Sequence, residues 1–164
     1  MNTPASDASA SIGEVGERAL IDRIRQRFPD SPGTLHLGIG DDAAVDQGVR
    51  GELQVLTTDA MVEGVHFDLA FSSFADVGYK ALAVNVSDIA AMGGAPRLAL
   101  LSLILPQRLT VADVDRLLDG FAEMAAEGGV TLAGGNIARS PGPVVVDVTA
   151  VGSVRPRRIL TRAG

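Results

Sequence analysis

A pair of glycines follows a helix-like stretch at two places in this sequence, and an apolar run follows each pair. No other feature constrains the fold as strongly. The first stretch spans Phe74 to Met92, and the second opens at Thr110 and is closed by Gly128 and Gly129, since paired glycines are a usual helix end. The apolar runs that follow, Leu98 to Leu105 and Val130 to Ala133, fit buried strands. This order predicts a mixed α/β domain with two helix-bearing crossovers.

The remaining predicted elements lie on either side of these crossovers. Apolar residues at helical intervals predict a first helix from Ile12 to Phe28, followed by a turn from Pro29 to Gly33. Leu53 to Thr58 is predicted to be a strand that ends at Asp59. The alternation of Val144 to Val151 predicts a half-buried strand.

Composition and charge exclude several classes of function. Acidic residues number 20 and basic residues 14, and the net charge of −6 argues against a nucleic-acid surface, which needs a basic face. The absence of cysteine excludes disulfides, zinc–thiolate sites and cysteine nucleophiles. No run reaches the roughly 18 apolar residues of a membrane span, and the N-terminus does not have the pattern of a signal peptide. We therefore expect a cytoplasmic protein that binds neither nucleic acid nor membrane.

Oxygen-bearing side chains and glycines are concentrated at four places: Gly38 to Asp42, Thr57 to Asp59, Asp88, and Gly134 to Asn136. Each has an ordinary explanation, namely a glycine turn, a strand end, a partly solvated aspartate and a β-turn. Hydroxyl and carboxylate oxygens are also the ligands that Mg²⁺ prefers, and a glycine pair exposes backbone N–H groups to phosphate. Asp88 shares a helix face with apolar residues, where a lone carboxylate is costly unless it is paired or liganded.

These four places together predict a site for several Mg²⁺ ions that hold a triphosphate. Phosphoryl transfer requires mainly positioning and charge neutralisation. An acidic chain can bind a polyphosphate only if metal ions neutralise both sides. The familiar nucleotide signatures are missing, since there is no P-loop, no complete G-x-G-x-x-G and no protein-kinase catalytic loop. The two histidines, His36 and His66, are too few for a histidine-rich metal site, and an isolated histidine is more often structural.

Several segments resemble the thiamine-monophosphate kinase family. They are Gly38 to Val45, Thr57 to Phe67, Tyr79 to Gly94 and Ile159 to Gly164. The segments occur in the family's order, and the similarity extends from about Leu20 to the last residue. The family shares a superfamily with aminoimidazole ribonucleotide synthetase, selenophosphate synthetase and a hydrogenase maturation protein. The resemblance implies ATP-dependent phosphorylation of thiamine monophosphate to thiamine diphosphate, with several Mg²⁺ ions between the two anions.

The resemblance also assigns roles to individual residues. It implies six magnesium ligands: Asp42, Thr57, Thr58, Asp59, Asp88 and Asn136. Gly135, Asn136 and Arg162 would contact the nucleotide, His66 would contact the substrate, and Asp41 would support the metal site. The family usually has aspartate where this chain has Asn136, and the exchange keeps an oxygen ligand but removes one negative charge.

The implied fold is the N-terminal α/β domain of this superfamily, in a homodimer whose strands pair across the interface into a barrel. We expect residues 1–11 to be a disordered tail, 12–153 to form the ATP- and Mg²⁺-binding dimerisation domain, and 154–164 to begin a linker to a C-terminal domain. That further domain completes the nucleotide and thiamine sites in the family, so the isolated piece is expected to be inactive. Two alternatives remain, an ATP-dependent synthetase of the same superfamily acting on another small substrate and a non-catalytic, metal-binding dimerisation module.

Overall fold

The computed structural model describes residues 8–29, 33 and 35–163, and its centre is a mixed four-stranded sheet. Along the chain the elements are α1 (Ile12–Arg27), β1 (Leu35–Leu37), β2 (Val45–Asp46), β3 (Leu53–Val62), α2 (Phe74–Ala91), β4 (Ala95–Pro106), α3 (Val111–Gly128), β5 (Thr131–Ser140) and β6 (Val145–Val154). The sheet has the order β3-β6-β4-β5, with β6 antiparallel to both of its neighbours and β5 parallel to β4. Strands β3 and β5 are therefore the two edges, and the predicted mixed α/β architecture is confirmed.

The two predicted crossovers are helices α2 and α3, which connect β3 to β4 and β4 to β5. Helix α2 lies against the sheet, and α3 packs on α2. The helices approach so closely that a Cβ atom on Gly78 would lie 1.9 Å from the carbonyl oxygen of Leu117. A Cβ atom on Gly120 would lie equally close, at 1.9 Å, to the carbonyl oxygen of Ala75. Only hydrogen fits at these two positions, so the two helix backbones are in direct contact.

Capping residues explain where these helices begin. Ser73 and Asp76 form a capping box before α2, and Thr110 and Asp113 form one before α3. Helix α3 is followed by Gly129 in the left-handed conformation, with φ 64°. The sequence-based boundaries of all three helices agree with the structure to within about one residue.

The predicted end of the strand at Asp59 is wrong. Strand β3 continues to Val62, because residues 59–62 remain paired with 145–148 of β6. A carboxylate side chain does not stop a strand when its backbone still has a partner. Asp59 consequently lies within an edge strand and is exposed.

The predicted turn at Gly134 to Asn136 is also wrong. Strand β5 extends from Thr131 to Ser140 through this segment. Gly135 pairs with Leu101 and Asn136 with Ser102 of the parallel neighbour β4. A Cβ atom on Gly135 would lie 1.9 Å from the Leu101 carbonyl oxygen, so close approach of two strands requires glycine here.

The N-terminal segment is attached to α3. The carbonyl groups of Ala8 and Ala10 accept hydrogen bonds of 2.9 Å from the N–H groups of Ala112 and Val111. Of the predicted tail, residues 8–11 therefore have defined contacts, and residues 1–7 lie outside the described residues, as does most of the predicted turn at Pro29 to Gly33. No helix within the described ranges is long and apolar enough to span a membrane.

Candidate active site

Thr57 and Asp88 meet where edge strand β3 faces helix α2. The Thr57 hydroxyl donates a hydrogen bond of 3.0 Å to Oδ2 of Asp88. Asp59 lies two residues further along β3 and therefore on the same face as Thr57. Its cross-strand partner Val148 is buried on that face. The structure thus brings together Thr57 and Asp88, and it places Asp59 next along the same strand face.

A cleft with a volume of about 540 Å³ opens beside this pair. It is lined by β3, the end of α2 and the segment that follows β6: Leu53, Gln54, Val55, Leu56, Thr57, Asp88, Ala91, Met92, Val154, Ile159, Thr161 and Arg162. Arg162 is therefore in the same cleft as the Thr57–Asp88 pair. A guanidinium group in this position suits the recognition of a phosphate.

The far wall of the cleft is held by contacts at the end of α2. The N–H group of Leu160 donates a hydrogen bond of 3.1 Å to the carbonyl oxygen of Met92. Gly93 has φ +74°, and a Cβ atom there would lie 2.4 Å from the carbonyl oxygen of Arg158. Glycine at this position therefore allows the segment that carries Arg162 to lie against the helix end.

Asp88 is exposed rather than enclosed among apolar side chains. The desolvation cost that the sequence pattern suggested does not apply, because α2 projects Asp88 into the cleft. One carboxylate oxygen of Asp88 accepts the hydrogen bond from the Thr57 hydroxyl, and the rest of the group is exposed to solvent. This arrangement leaves Asp88 accessible to a ligand.

Thr58 points to the opposite face of the sheet. Its hydroxyl lies 3.2 Å from Oδ1 of Asp147 and 3.1 Å from the hydroxyl of Thr149, both on β6. Successive side chains of a strand alternate between faces, which separates Thr58 from Thr57 and Asp59. The structure therefore does not bring Thr58 to the Thr57–Asp88 pair.

Asp41 and Asp42 lie in the connection between β1 and β2, and both are exposed. The N–H group of Asp42 donates a hydrogen bond of 2.8 Å to Oδ1 of Asp41, so Asp41 shapes the turn that carries Asp42. Within the described ranges, no three acidic or histidine side chains are grouped closely enough to hold a metal ion. Asp42, Asp59 and Asp88 therefore do not form a closed carboxylate cluster.

The oxygen-bearing side chains on this face of β3 and on α2 nevertheless fit magnesium chemistry. Thr57, Asp59 and Asp88 offer only hydroxyl and carboxylate oxygens. Magnesium usually binds through one or two carboxylates and completes its shell with water and substrate phosphates, so a closed carboxylate cage is not required.

Gly135 and Asn136 lie on the other edge of the sheet. Strands β6 and β4 separate β5 from β3, so three strand spacings, or about 14 Å, lie between the edge that carries Asn136 and the edge that carries Thr57. Asn136 is exposed on this edge. Within one protomer the structure does not bring this pair to the cleft.

His66 lies in a loop just beyond the end of β3, about 17 Å along the strand from Thr57 by the rise per residue. Its Nδ1 atom accepts a hydrogen bond of 3.1 Å from the N–H group of Val62. The Lys80 ammonium group of α2 donates a hydrogen bond of 2.8 Å to the carbonyl oxygen of His66. His66 is therefore held away from the Thr57–Asp88 pair, beyond the C-terminal end of β3.

Sequence reasoning missed three residues that the structure places at these sites. Ile159 and Thr161 line the cleft, although only Arg162 of their segment was assigned a role. Lys80 contacts the His66 loop from α2. All three residues belong to segments that carry the family resemblance, so a signal was present, but the contact between Lys80 and His66 depends on tertiary packing.

Comparisons with known proteins identify the family of this chain. Residues 40–154 match the family model described as "AIR synthase related protein, N-terminal domain". Thiamine-monophosphate kinase of Bacillus subtilis (strain 168) is 41% identical over 138 residues, which cover 81% of this chain and 42% of that protein. The chain thus spans less than half the length of this relative.

Two solved structures extend the comparison to three dimensions. Thiamine-monophosphate kinase from Stenotrophomonas maltophilia K279a is 41% identical with a TM-score of 0.76, and the match covers 87% of this chain and 44% of that one. A structure described as "AaThiL complexed with AMPPCP and TMP" is 39% identical with a TM-score of 0.61, over 87% of this chain and 43% of that one. The family model alone covers well over half of the residues, and so the chain belongs to the family of AIR synthase related proteins, as their N-terminal domain.

Proposed function

We propose that this chain supplies the metal- and nucleotide-binding part of an enzyme that uses ATP to phosphorylate thiamine monophosphate to thiamine diphosphate. The observation that carries the proposal is the cleft in which Thr57, Asp88 and Arg162 meet. These residues come from three separate segments that resemble thiamine-monophosphate kinases. The similarity to a relative with that name, and to a structure described with AMPPCP and TMP, supports the same substrates here.

In this proposal Thr57 and Asp88 bind Mg²⁺ from the cleft, Asp59 binds it from further along the same strand face, and Asp42 binds it from the β1–β2 connection. Bound magnesium would neutralise the phosphate oxygens between donor and acceptor. Arg162 would pair with the nucleotide phosphates from the far wall. The hydrogen bond from Thr57 orients the Asp88 carboxylate before any ligand arrives.

The homodimer is part of the proposal, because both edges of the sheet are long. Strands β3 and β5 each have ten residues and one neighbour in the described sheet. The sheet face opposite α2 exposes Leu56 to 65% and Leu100 to 40%. Two such sheets, with β3 of each protomer paired to β5 of the other, would close into an eight-stranded barrel that covers these side chains.

A barrel of this kind would also explain where Asn136 and Thr58 act. Pairing of β5 with β3 of the partner would bring Asn136 and Gly135 beside the partner subunit's β3. Thr58 would lie in the barrel interior beside Asp147 rather than at the metal. Sedimentation should show a dimer for this chain, and Leu56→Arg should convert it to monomer.

The domain assignment remains part of the proposal as well. Residues 12–153 would form the metal-binding dimerisation domain, and 154–164 would lead toward a second domain that completes the thiamine site. The matched relatives are more than twice as long as the matched region, which supports a second domain. Activity is therefore expected of the complete protein.

The test is a kinase assay on the full-length natural protein that contains this chain. The assay contains Mg²⁺, ATP and thiamine monophosphate, and thiamine diphosphate is detected directly by chromatography. Product that disappears on chelation supports the proposal. ATP hydrolysis coupled only to another small substrate would identify a synthetase instead. Magnesium binding and dimerisation without any turnover would identify a non-catalytic module, a candidate favoured by the uncharged Asn136.

A further inference from the structure

Three arginines near the end of helix α1, Arg23, Arg25 and Arg27, have different surroundings. Arg23 forms an ion pair with Asp115. Arg27 forms another with Asp119, so two of the three arginines attach α1 to α3. At about 100° per helical residue, Arg25 projects from the opposite side of α1. It is exposed, and among the residues that the structure describes no carboxylate pairs with it.

The guanidinium group of Arg25 lies on the connection between β1 and β2. A Cβ atom on Gly40 would lie 2.9 Å from Nη1 and 3.0 Å from Cζ of Arg25. The space that a side chain of residue 40 would fill is therefore occupied by this guanidinium group. The preceding residue, Ile39, is partly buried and packs against the hydrophobic core. Residues 38–42 are thus held from inside by Ile39 and from outside by Arg25.

The same connection carries two adjacent carboxylates. Asp41 and Asp42 follow Gly40 directly, and both are exposed. Neighbouring carboxylates repel each other unless a cation lies close to them. In the part of the chain that the structure describes, neither carboxylate forms an ion pair. Arg25 therefore contacts the backbone of the connection and leaves the carboxylate oxygens of Asp42 open to a metal ion.

We propose that Arg25 is a positioning residue for the magnesium site, holding residues 38–42 in the conformation that presents Asp42 to the metal. The inference rests on the proposed function, in which Asp42 binds Mg²⁺ from this connection. Residues that support metal ligands typically contribute about 10- to 100-fold to metal affinity. The charge of Arg25 alone would act in the opposite direction, because a positive group near Asp42 repels Mg²⁺. The sign of the effect therefore separates positioning from simple electrostatics.

The first test measures metal binding to the full-length natural protein that contains this chain. Arg25→Met is compared with Arg18→Met, which removes another exposed charge from α1, because only Arg25 contacts Gly40. Mg²⁺ is titrated calorimetrically in the presence of a non-hydrolysable ATP analogue. We expect Arg25→Met to weaken Mg²⁺ binding about 10-fold, whereas Arg18→Met should stay within about 2-fold. Equal or tighter binding in Arg25→Met would overturn the proposal.

Hydrogen exchange followed by mass spectrometry adds a readout that needs no metal. The N–H group of Asp42 is bonded to Oδ1 of Asp41 at 2.8 Å, and this bond slows exchange while the connection keeps its conformation. We expect Arg25→Met to speed exchange in residues 38–42 at least about 3-fold, with exchange in β4 unchanged. Unchanged exchange in residues 38–42 would show that Arg25 does not hold them. Faster exchange throughout the sheet would assign Arg25 to general stability and overturn the positioning role.

Kinetics of the full-length enzyme complete the design. Arg25→Met should raise the half-saturating Mg²⁺ concentration about 10-fold, and saturating Mg²⁺ should restore kcat to within about 2-fold. A loss of kcat that Mg²⁺ does not restore would contradict a role limited to positioning. Absence of kinase activity, together with the binding and exchange effects, would reject the proposed function and leave the role of Arg25 in place. Normal kinase activity, with no difference between Arg25→Met and Arg18→Met, would do the reverse.

Discussion

The Thr57 hydroxyl and the Asp88 carboxylate are 31 residues apart in the chain and 3.0 Å apart in space. Strand β3 supplies one and helix α2 the other, and the cleft beside them also contains Arg162. We expect Asp88→Asn to reduce magnesium-dependent turnover at least about 100-fold in the full-length protein, because a carboxylate ligand is lost while the shape is kept. The exposed carboxylate of Asp119 on α3 provides the control, since Asp119→Asn should keep turnover within about 2-fold. Normal turnover in Asp88→Asn would remove this residue from the site.

The two adjacent threonines allow the faces of β3 to be compared. Thr57→Val removes the hydrogen bond to Asp88, whereas Thr58→Val removes contacts to Asp147 and Thr149 on the other face. We expect Thr57→Val to raise the magnesium concentration that gives half-maximal rate more than Thr58→Val does. Magnesium titrations of the two variants measure this difference. The opposite order would mean that the metal lies on the sheet face that carries Thr58.

Asn136 can be tested by placing a carboxylate at its position. If Asn136 is a magnesium ligand, Asn136→Asp should lower the half-saturating magnesium concentration about 3- to 10-fold, since a carboxylate binds the ion more strongly than an amide oxygen. Isothermal titration with Mg²⁺ in the presence of a non-hydrolysable nucleotide gives the affinity directly. An unchanged affinity would argue against a metal contact by Asn136 in either subunit.

Gly78 is a test of the contact between α2 and α3. A methyl group there would collide with the Leu117 carbonyl oxygen, so Gly78→Ala should destabilise the fold by about 2–3 kcal/mol. Gly128→Ala is the control, because a Cβ atom there has no neighbour closer than 3.4 Å. That variant should be unchanged or up to about 1 kcal/mol more stable, since alanine favours the helix. Urea unfolding of the two variants makes the comparison.

Gly93 is a test of the far wall of the cleft. Alanine there would be strained at φ +74° and would meet the Arg158 carbonyl oxygen at 2.4 Å. We expect Gly93→Ala to displace the segment that carries Arg162 and to raise KM for ATP about 10-fold. Gly142→Ala is the control, since its Cβ atom would meet nothing within 4 Å. An unchanged KM would show that the segment does not depend on Gly93.

Much of the fold could be predicted from local sequence. The helix boundaries followed from apolar residues at helical intervals and from the glycines that end the helices. The extents of β3 and β5 could not be predicted in this way, because both strands continue only where a neighbouring strand supplies hydrogen bonds. A glycine pair such as Gly134–Gly135 has the same local pattern in a turn and in a close strand contact.

The site could be predicted residue by residue but not as an arrangement. The sequence pointed to Thr57, Asp88 and Arg162, which share the cleft. It could not separate them from Asn136, since the distance between the two sheet edges depends on the strand order β3-β6-β4-β5. Successive side chains of a strand alternate between the two sheet faces, so the sequence already placed Thr58 opposite Thr57 and Asp59. Treating the three residues as one motif concealed this difference.

The two edge strands have a consequence for handling this protein. Each of β3 and β5 presents ten residues of backbone, and neither is interrupted by proline. Long uncovered edges can pair with strands of other chains, so chains that fail to associate correctly would pair edge to edge in open-ended aggregates. Asp59 on β3 and Arg139 on β5 are charges that oppose such growth. We expect soluble yield and shelf life at high concentration to fall when these two charges are removed, well before the fold itself becomes unstable.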